Sequence, residues 1–75
     1  MKVNSYFEGT YPNITLWLTH GWIEIGQDEF SESFIRVLDP GGMLWEGKTS
    51  YKSLDEAFND LEANLKDIIE DIGLE

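Results

Sequence analysis

The run FIRVLDPGGMLWEG, residues 34–47, decides the fold. Two strand-like stretches, Phe34 to Leu38 and Met43 to Gly47, flank the turn Asp39-Pro40-Gly41-Gly42. Proline holds φ near about −65°, so Pro40 cannot take the first central position of a two-residue primed hairpin loop. A three-residue loop fits instead, with Pro40 and Gly41 in a type I turn and Gly42 as the left-handed bulge residue. That loop sets Leu38 opposite Leu44 and Arg36 opposite Glu46. Upstream, Trp22 to Gly26 alternates in the same way and supplies a third strand.

Strict alternation sorts these residues onto two faces. One carries Ile23, Ile25, Ile35, Val37, Met43 and Trp45, with no charge among them, and is the platform for a core. The other mixes Glu24, Arg36, Glu46 and Lys48 with Trp22, Phe34, Leu38 and Leu44.

Downstream lies the element that covers the apolar face. Leu54, Phe58, Leu61, Leu65, Ile68 and Ile72 recur at alternating steps of four and three, and Ala57 and Ile69 widen the stripe. The spacing predicts one amphipathic helix of about five turns. Ser53 and Glu56 form its capping pair, Asp55 and Glu56 suit the positive end of its dipole, and Gly73 ends it in a left-handed turn. Glu62 and Lys66 stand in i,i+4 register as an ion pair.

Two readings fit residues 10–21. Ile14, Leu16 and Leu18 alternate like a strand, which would make a four-stranded antiparallel sheet with one C-terminal helix. Ile14, Trp17 and Leu18 also have helical spacing, Pro12 suits a first turn and Gly21 a helix end, and this reading is preferred. The expected fold class is therefore α+β, in the order α-β-β-β-α: a three-stranded antiparallel meander with a short N-terminal helix and a long C-terminal helix on one face. Residues 1–9 contain Val3, Tyr6 and Phe7, enough apolar bulk to form an edge strand or to lie across the sheet.

Composition sets the outer limits. Seventy-five residues make one domain, residues 1–75, with one small core. Cysteine is absent, which removes disulfides and thiol chemistry. No apolar run is long enough for a membrane span, and Met1-Lys2-Val3-Asn4-Ser5 is not followed by a secretory apolar stretch, so a cytoplasmic location is expected. Fifteen acidic residues against five basic ones give a formal charge of −10. Nucleic acid and anionic membranes are excluded as partners, because both are bound by Lys and Arg displacing counterions.

The chain resembles a family of short, uncharacterised bacterial proteins, notably cyanobacterial ones. The likeness runs through Gly21-Trp22-Ile23-Glu24-Ile25-Gly26, Ser33-Phe34-Ile35-Arg36, Asp39 to Gly47 and Ser53-Leu54-Asp55-Glu56-Ala57. It implies a free-standing domain and no reaction. The α-β-β-β-α order is similar to that of double-stranded RNA-binding domains, but the start of the last helix, where they carry a basic cluster, here reads Ser53-Leu54-Asp55-Glu56-Ala57-Phe58-Asn59-Asp60. The passage from the hairpin through Thr49 to Ala57 looks like the strand-to-helix passage of HicB antitoxins, over about a third of the chain.

The sequence offers little chemistry. His20 is the lone histidine, Asp28-Glu29-Phe30-Ser31-Glu32 lacks the ligand spacing of a calcium loop, and the glycines match no phosphate-binding pattern. Glu24 and Glu46 flanking Arg36 read as a cross-strand ionic row rather than an acid–base pair. No catalytic residue, metal ligand or cofactor is expected. The residues that stand out are Trp22, Phe34, Arg36, Leu38 and Leu44, apolar anchors around one arginine on the face away from the helix, a composition that suits a protein interface. Either the N-terminal segment covers that face, or another polypeptide does. The expected function is a non-enzymatic interaction module, self-associating as a homodimer or docking a protein partner. The alternative is an acidic inhibitor or nucleic-acid mimic that meets a basic partner through Asp55, Asp60, Glu62 and Asp67.

Overall fold

The computed structural model describes residues 5–27, 29 and 32–74. The chain forms α1 (Ser5–Thr10), α2 (Pro12–Trp17), β1 (Trp22–Ile25), β2 (Ile35–Asp39), β3 (Gly42–Glu46) and α3 (Leu54–Ile72). The strands make an antiparallel meander in the order β1-β2-β3. This is the α+β architecture expected, with a second short helix added in front.

The limits of α3 follow from its end residues. The Glu56 amide donates to Ser53 Oγ at 3.1 Å. At the other end Gly73 takes φ +70°, its amide donates to the Glu70 carbonyl at 3.3 Å, and the Leu74 amide donates to the Ile69 carbonyl at 3.1 Å. These two bonds are the paired closure of a Schellman motif. Leu74 then folds back onto the core, the apolar contact that completes the motif. Along the helix Ala57, Leu61, Leu65 and Ile69 are fully buried, while Phe58 and Ile68 flank them. Leu54 and Ile72, expected in the stripe, are exposed. A 19-residue helix is about 28 Å long and strands of four or five residues reach only about 17 Å, so α3 is longer than any strand it covers.

Residues 12–17 are helical, which overturns the four-stranded alternative. The side chain of Tyr11 does not cap α2. Glu62 of α3 does so from outside, accepting from the Asn13 amide at 2.8 Å and the Ile14 amide at 2.9 Å. Its carboxylate is thus turned to two orphan amides and not to Lys66, the partner expected from sequence; charge-assisted bonds at a helix start outweigh an exposed i,i+4 pair. At the far end of α2, Trp17 is wholly buried and its Nε1 donates to the carbonyls of Trp22 at 3.3 Å and Leu38 at 3.2 Å. Gly21 permits this approach, since a Cβ there would run into the Leu38 carbonyl and the indole ring.

The expectation of an N-terminal edge strand fails over residues 5–10, which are helical. Phe7 packs on Tyr11 with ring centres 5.2 Å apart, and Tyr11 meets Phe58 edge-on at 5.6 Å. Aromatic contact therefore draws this segment onto α3 and away from the sheet's other face. Val3 lies outside the described residues.

Sheet register is regular between β1 and β2, pairing Trp22 with Leu38, Ile23 with Val37, Glu24 with Arg36 and Ile25 with Ile35. Between β2 and β3, Arg36 faces Glu46 and Val37 faces Trp45, but Leu38 faces Met43 and Asp39 faces Gly42. Gly42 has a positive φ, +126°, but it pairs with Asp39 as the first residue of β3 and so is not the third loop residue expected from the sequence. Pairing of Asp39 with Gly42 closes the loop one residue early, so Leu44 becomes an extra residue and Leu38 does not oppose it as expected. Because directly opposed residues share a face, the irregularity moves Met43 off the core side and onto the side of Leu38. Ile35, Val37, Ile14, Trp17, Leu61, Leu65 and Ile69 form the core, with Ile23 and Trp45 packed against it. Ile25, expected among them, is exposed.

If Glu62 caps α2, Glu62→Ala will lower stability by about 2 kcal/mol with an unchanged urea m-value. It will also speed amide exchange at Asn13 and Ile14 ahead of the rest of the chain. Equal protection at those two amides in both proteins would contradict the capping role.

Candidate functional site: the outer face of the sheet

All three helices lie on the side of Ile35 and Val37, and the opposite face carries the residues that the sequence marks out. Across it run two rows of cross-strand neighbours. One is apolar, Trp22–Leu38–Met43, with Leu44 beside it; the other is charged, Glu24–Arg36–Glu46. Trp22 is 42% exposed, Met43 51% and Leu44 44%, while Leu38 at the centre is half-buried between its neighbours. Trp22 Nε1 reaches Glu24 Oε2 at 3.3 Å, which ties the edge of one row to the edge of the other.

Arg36 does not present itself on this face. It is only 5% exposed and its guanidinium is committed internally: Nε donates to Glu24 Oε1 at 3.1 Å, Nη1 to the Ser33 carbonyl at 2.6 Å and to Ser33 Oγ at 3.3 Å, and Nη2 to the Gly26 carbonyl at 2.7 Å. The planar fork of donors reaches carbonyls at a strand end, where the β ladder has run out of partners. Arg36 is thus a staple joining the end of β1 to the segment that enters β2, and not the solvent-facing interface anchor expected from sequence. Lys48 stays exposed, its Nζ lying over the Tyr51 ring at 5.6 Å from the centroid.

Phe34 also departs from the expected patch. It meets Tyr51 edge-on with ring centres 6.1 Å apart and packs against the core. Together with Gln27, Thr49, Ser50, Ser53 and Leu54, these two rings line an open depression of about 420 Å³ at the start of α3. Tyr51 Oη donates to Asp60 Oδ2 at 2.6 Å and accepts from the Lys48 amide at 3.0 Å. Burial, and after it the bond to Asp60, raises the Tyr51 pKa above its usual value of 10.0. The phenol therefore keeps its proton throughout the neutral range and serves the depression as a fixed hydrogen-bonding group, not as a base. His20, the lone histidine, is exposed, with Nε2 3.4 Å from Asp39 Oδ2 and its ring edge-on to Trp17. The acidic stretch at residues 28–32 lies partly outside the described residues. Among the described residues no group of three His, Asp or Glu side chains is placed to hold a metal ion, and no described helix is long and apolar enough to cross a membrane.

Of the five residues singled out from sequence, Trp22 and Leu38 are cross-strand neighbours, Leu44 is exposed as the extra residue of β3, and Arg36 and Phe34 are drawn inward. Met43 is the member that sequence reasoning missed, since alternation assigns it to the core and only the β-irregularity reverses it. The sole advance signal is the pair Gly41-Gly42, which announces a turn able to shift register without saying where the extra residue falls.

Compared with known proteins, the chain matches no family model, no curated protein and no solved structure at a significant level. The likeness to short bacterial proteins rests on the quoted motifs alone.

Two outcomes follow from this geometry. Arg36→Ala will cost about 2–3 kcal/mol by chemical denaturation, because it strands the Ser33 and Gly26 carbonyls and an acidic partner; a loss below 1 kcal/mol, the range of exposed pairs, would show that the staple is not needed. For Tyr51 the sign is set by a folded pKa above the unfolded one. Its contribution is whole below about pH 10, and is lost as pH rises through the folded value. Wild-type stability should thus fall above pH 10 more steeply than that of Tyr51→Phe, and parallel curves would refute the coupling.

Proposed function

We propose that this protein is a non-enzymatic docking module whose outer sheet face buries itself against another polypeptide. One observation carries the reading. An apolar row, Trp22–Leu38–Met43, crosses all three strands on the side opposite the helices, and Trp22 and Met43 on it remain open to solvent, as does the neighbouring Leu44. A sheet that is apolar on both faces reaches its most stable arrangement with a layer on each, and the described residues supply one layer of helices. Exposed aromatic and methionine side chains in a cluster are the usual anchors of such contacts.

Two occupants are open to such a module. Symmetry makes a second copy the simplest, since a two-fold axis would set the same row against itself. Net charge favours the other, a basic partner, because two chains of charge −10 repel each other. The carboxylates first considered for the basic-partner role are themselves divided. Glu62 caps α2 and Asp60 holds Tyr51, while Asp55 and Asp67 are exposed.

A docking surface differs from a core in what it adds to the folded chain alone. The double variant Trp22→Ser with Met43→Ser should keep its urea unfolding free energy within about 1 kcal/mol of wild type, as exposed positions do. Loss of about 3 kcal/mol or more, in the range of core truncations, would assign the row to the protein's own interior and end the docking reading.

A further inference from the structure

Building on that reading, we infer that the outer face receives a basic amphipathic segment of a partner protein and not a second copy of this chain. Four groups near the charged row settle its sign. Of the two cations that alternation places on this face, Arg36 is buried in its staple, and Lys48, although exposed, has its Nζ over the Tyr51 ring. Glu46 is exposed, and Glu24 keeps 44% of its side-chain surface in solvent although it pairs with Arg36. The surface that remains is an apolar row with carboxylates at its side.

Spacing gives the partner its pattern. Residues two apart along a strand are separated by about 7 Å, and the outer strands of a three-stranded sheet lie about 10 Å apart. On β1 and β2 the apolar and charged rows are therefore about 7 Å from each other, while on β3 Met43 and Glu46 stand three residues apart, all on a platform the width of one helix. A helix with an apolar stripe and Lys or Arg along its flank matches both bands at once. A second copy would match the apolar band and oppose Glu24 and Glu46 with their own equivalents, and Arg36, the cation between them, is buried.

The test uses a two-heptad Leu/Lys amphipathic peptide, titrated calorimetrically into the whole chain, with sedimentation run in parallel. Wild type should bind the peptide, more weakly as salt rises. Replacing its Lys by Glu, or its Leu by Ser, should each weaken binding at least tenfold. Trp22→Ser with Met43→Ser should do the same, and Glu46→Gln should weaken it severalfold. Asp55→Asn with Asp67→Asn, which removes exposed charge from α3, should change it less than twofold.

If the α3 variant loses as much affinity as the outer-face variant, charge alone governs the contact and the inference is wrong. A chain that fails to bind the peptide but forms a dimer abolished by the outer-face variant overturns the inference and leaves the docking reading standing. A strict monomer that binds no peptide overturns both.

Discussion

The buried indole of Trp17 is the constraint on which this fold turns. A chain of 75 residues has room for few large core side chains, and Trp17 contributes the largest that is wholly buried. Its one polar atom would be costly inside, so the ring must sit where carbonyls meet it, and it finds them on two neighbouring strands at Trp22 and Leu38. That choice fixes how α2 meets the sheet, demands glycine at position 21, and leaves the whole helical layer on one side. The openness of the other side is a consequence.

Charge is used inside this molecule as much as on it. Glu62 substitutes for a missing helix cap, Asp60 holds Tyr51 and Asn64, and Arg36 closes carbonyls at a strand end. In a core this small each bond does what additional apolar area would do in a larger domain: it fixes one element relative to the next. The result for function is indirect. By burying Arg36, the fold leaves Glu24 and Glu46 as the exposed members of the charged row.

The β2–β3 irregularity has the opposite effect, moving a side chain outward. A shift of one residue reverses the face of everything beyond it, and here only Met43 lies beyond before the turn. One methionine is thus taken from the core side and added to the apolar row. Methionine is flexible and polarizable, suited to contacts that must adapt to a partner's shape. At the other end of the sheet Ile25 is also left exposed.

Elements whose determinants are local were legible in the residues themselves. Ser53 and Gly73 bound α3 because capping acts within one turn, Pro12 and the spacing of Ile14 and Trp17 mark α2, and Pro40 with Gly42 marks the hairpin; the α+β order follows. What tertiary structure alone decided were the destinations of side chains with more than one satisfactory partner. Glu62 had Lys66 one turn away and went to α2, Arg36 had open solvent and went to Ser33 and Gly26, and Phe34 went to Tyr51. Each choice depends on groups distant in sequence or brought near by a turn, and residue type reports the capacity to bond without naming the partner. The place of Leu44 as the extra residue belongs with them, because a bulge is fixed by how a whole hairpin packs and not by the residue that bulges.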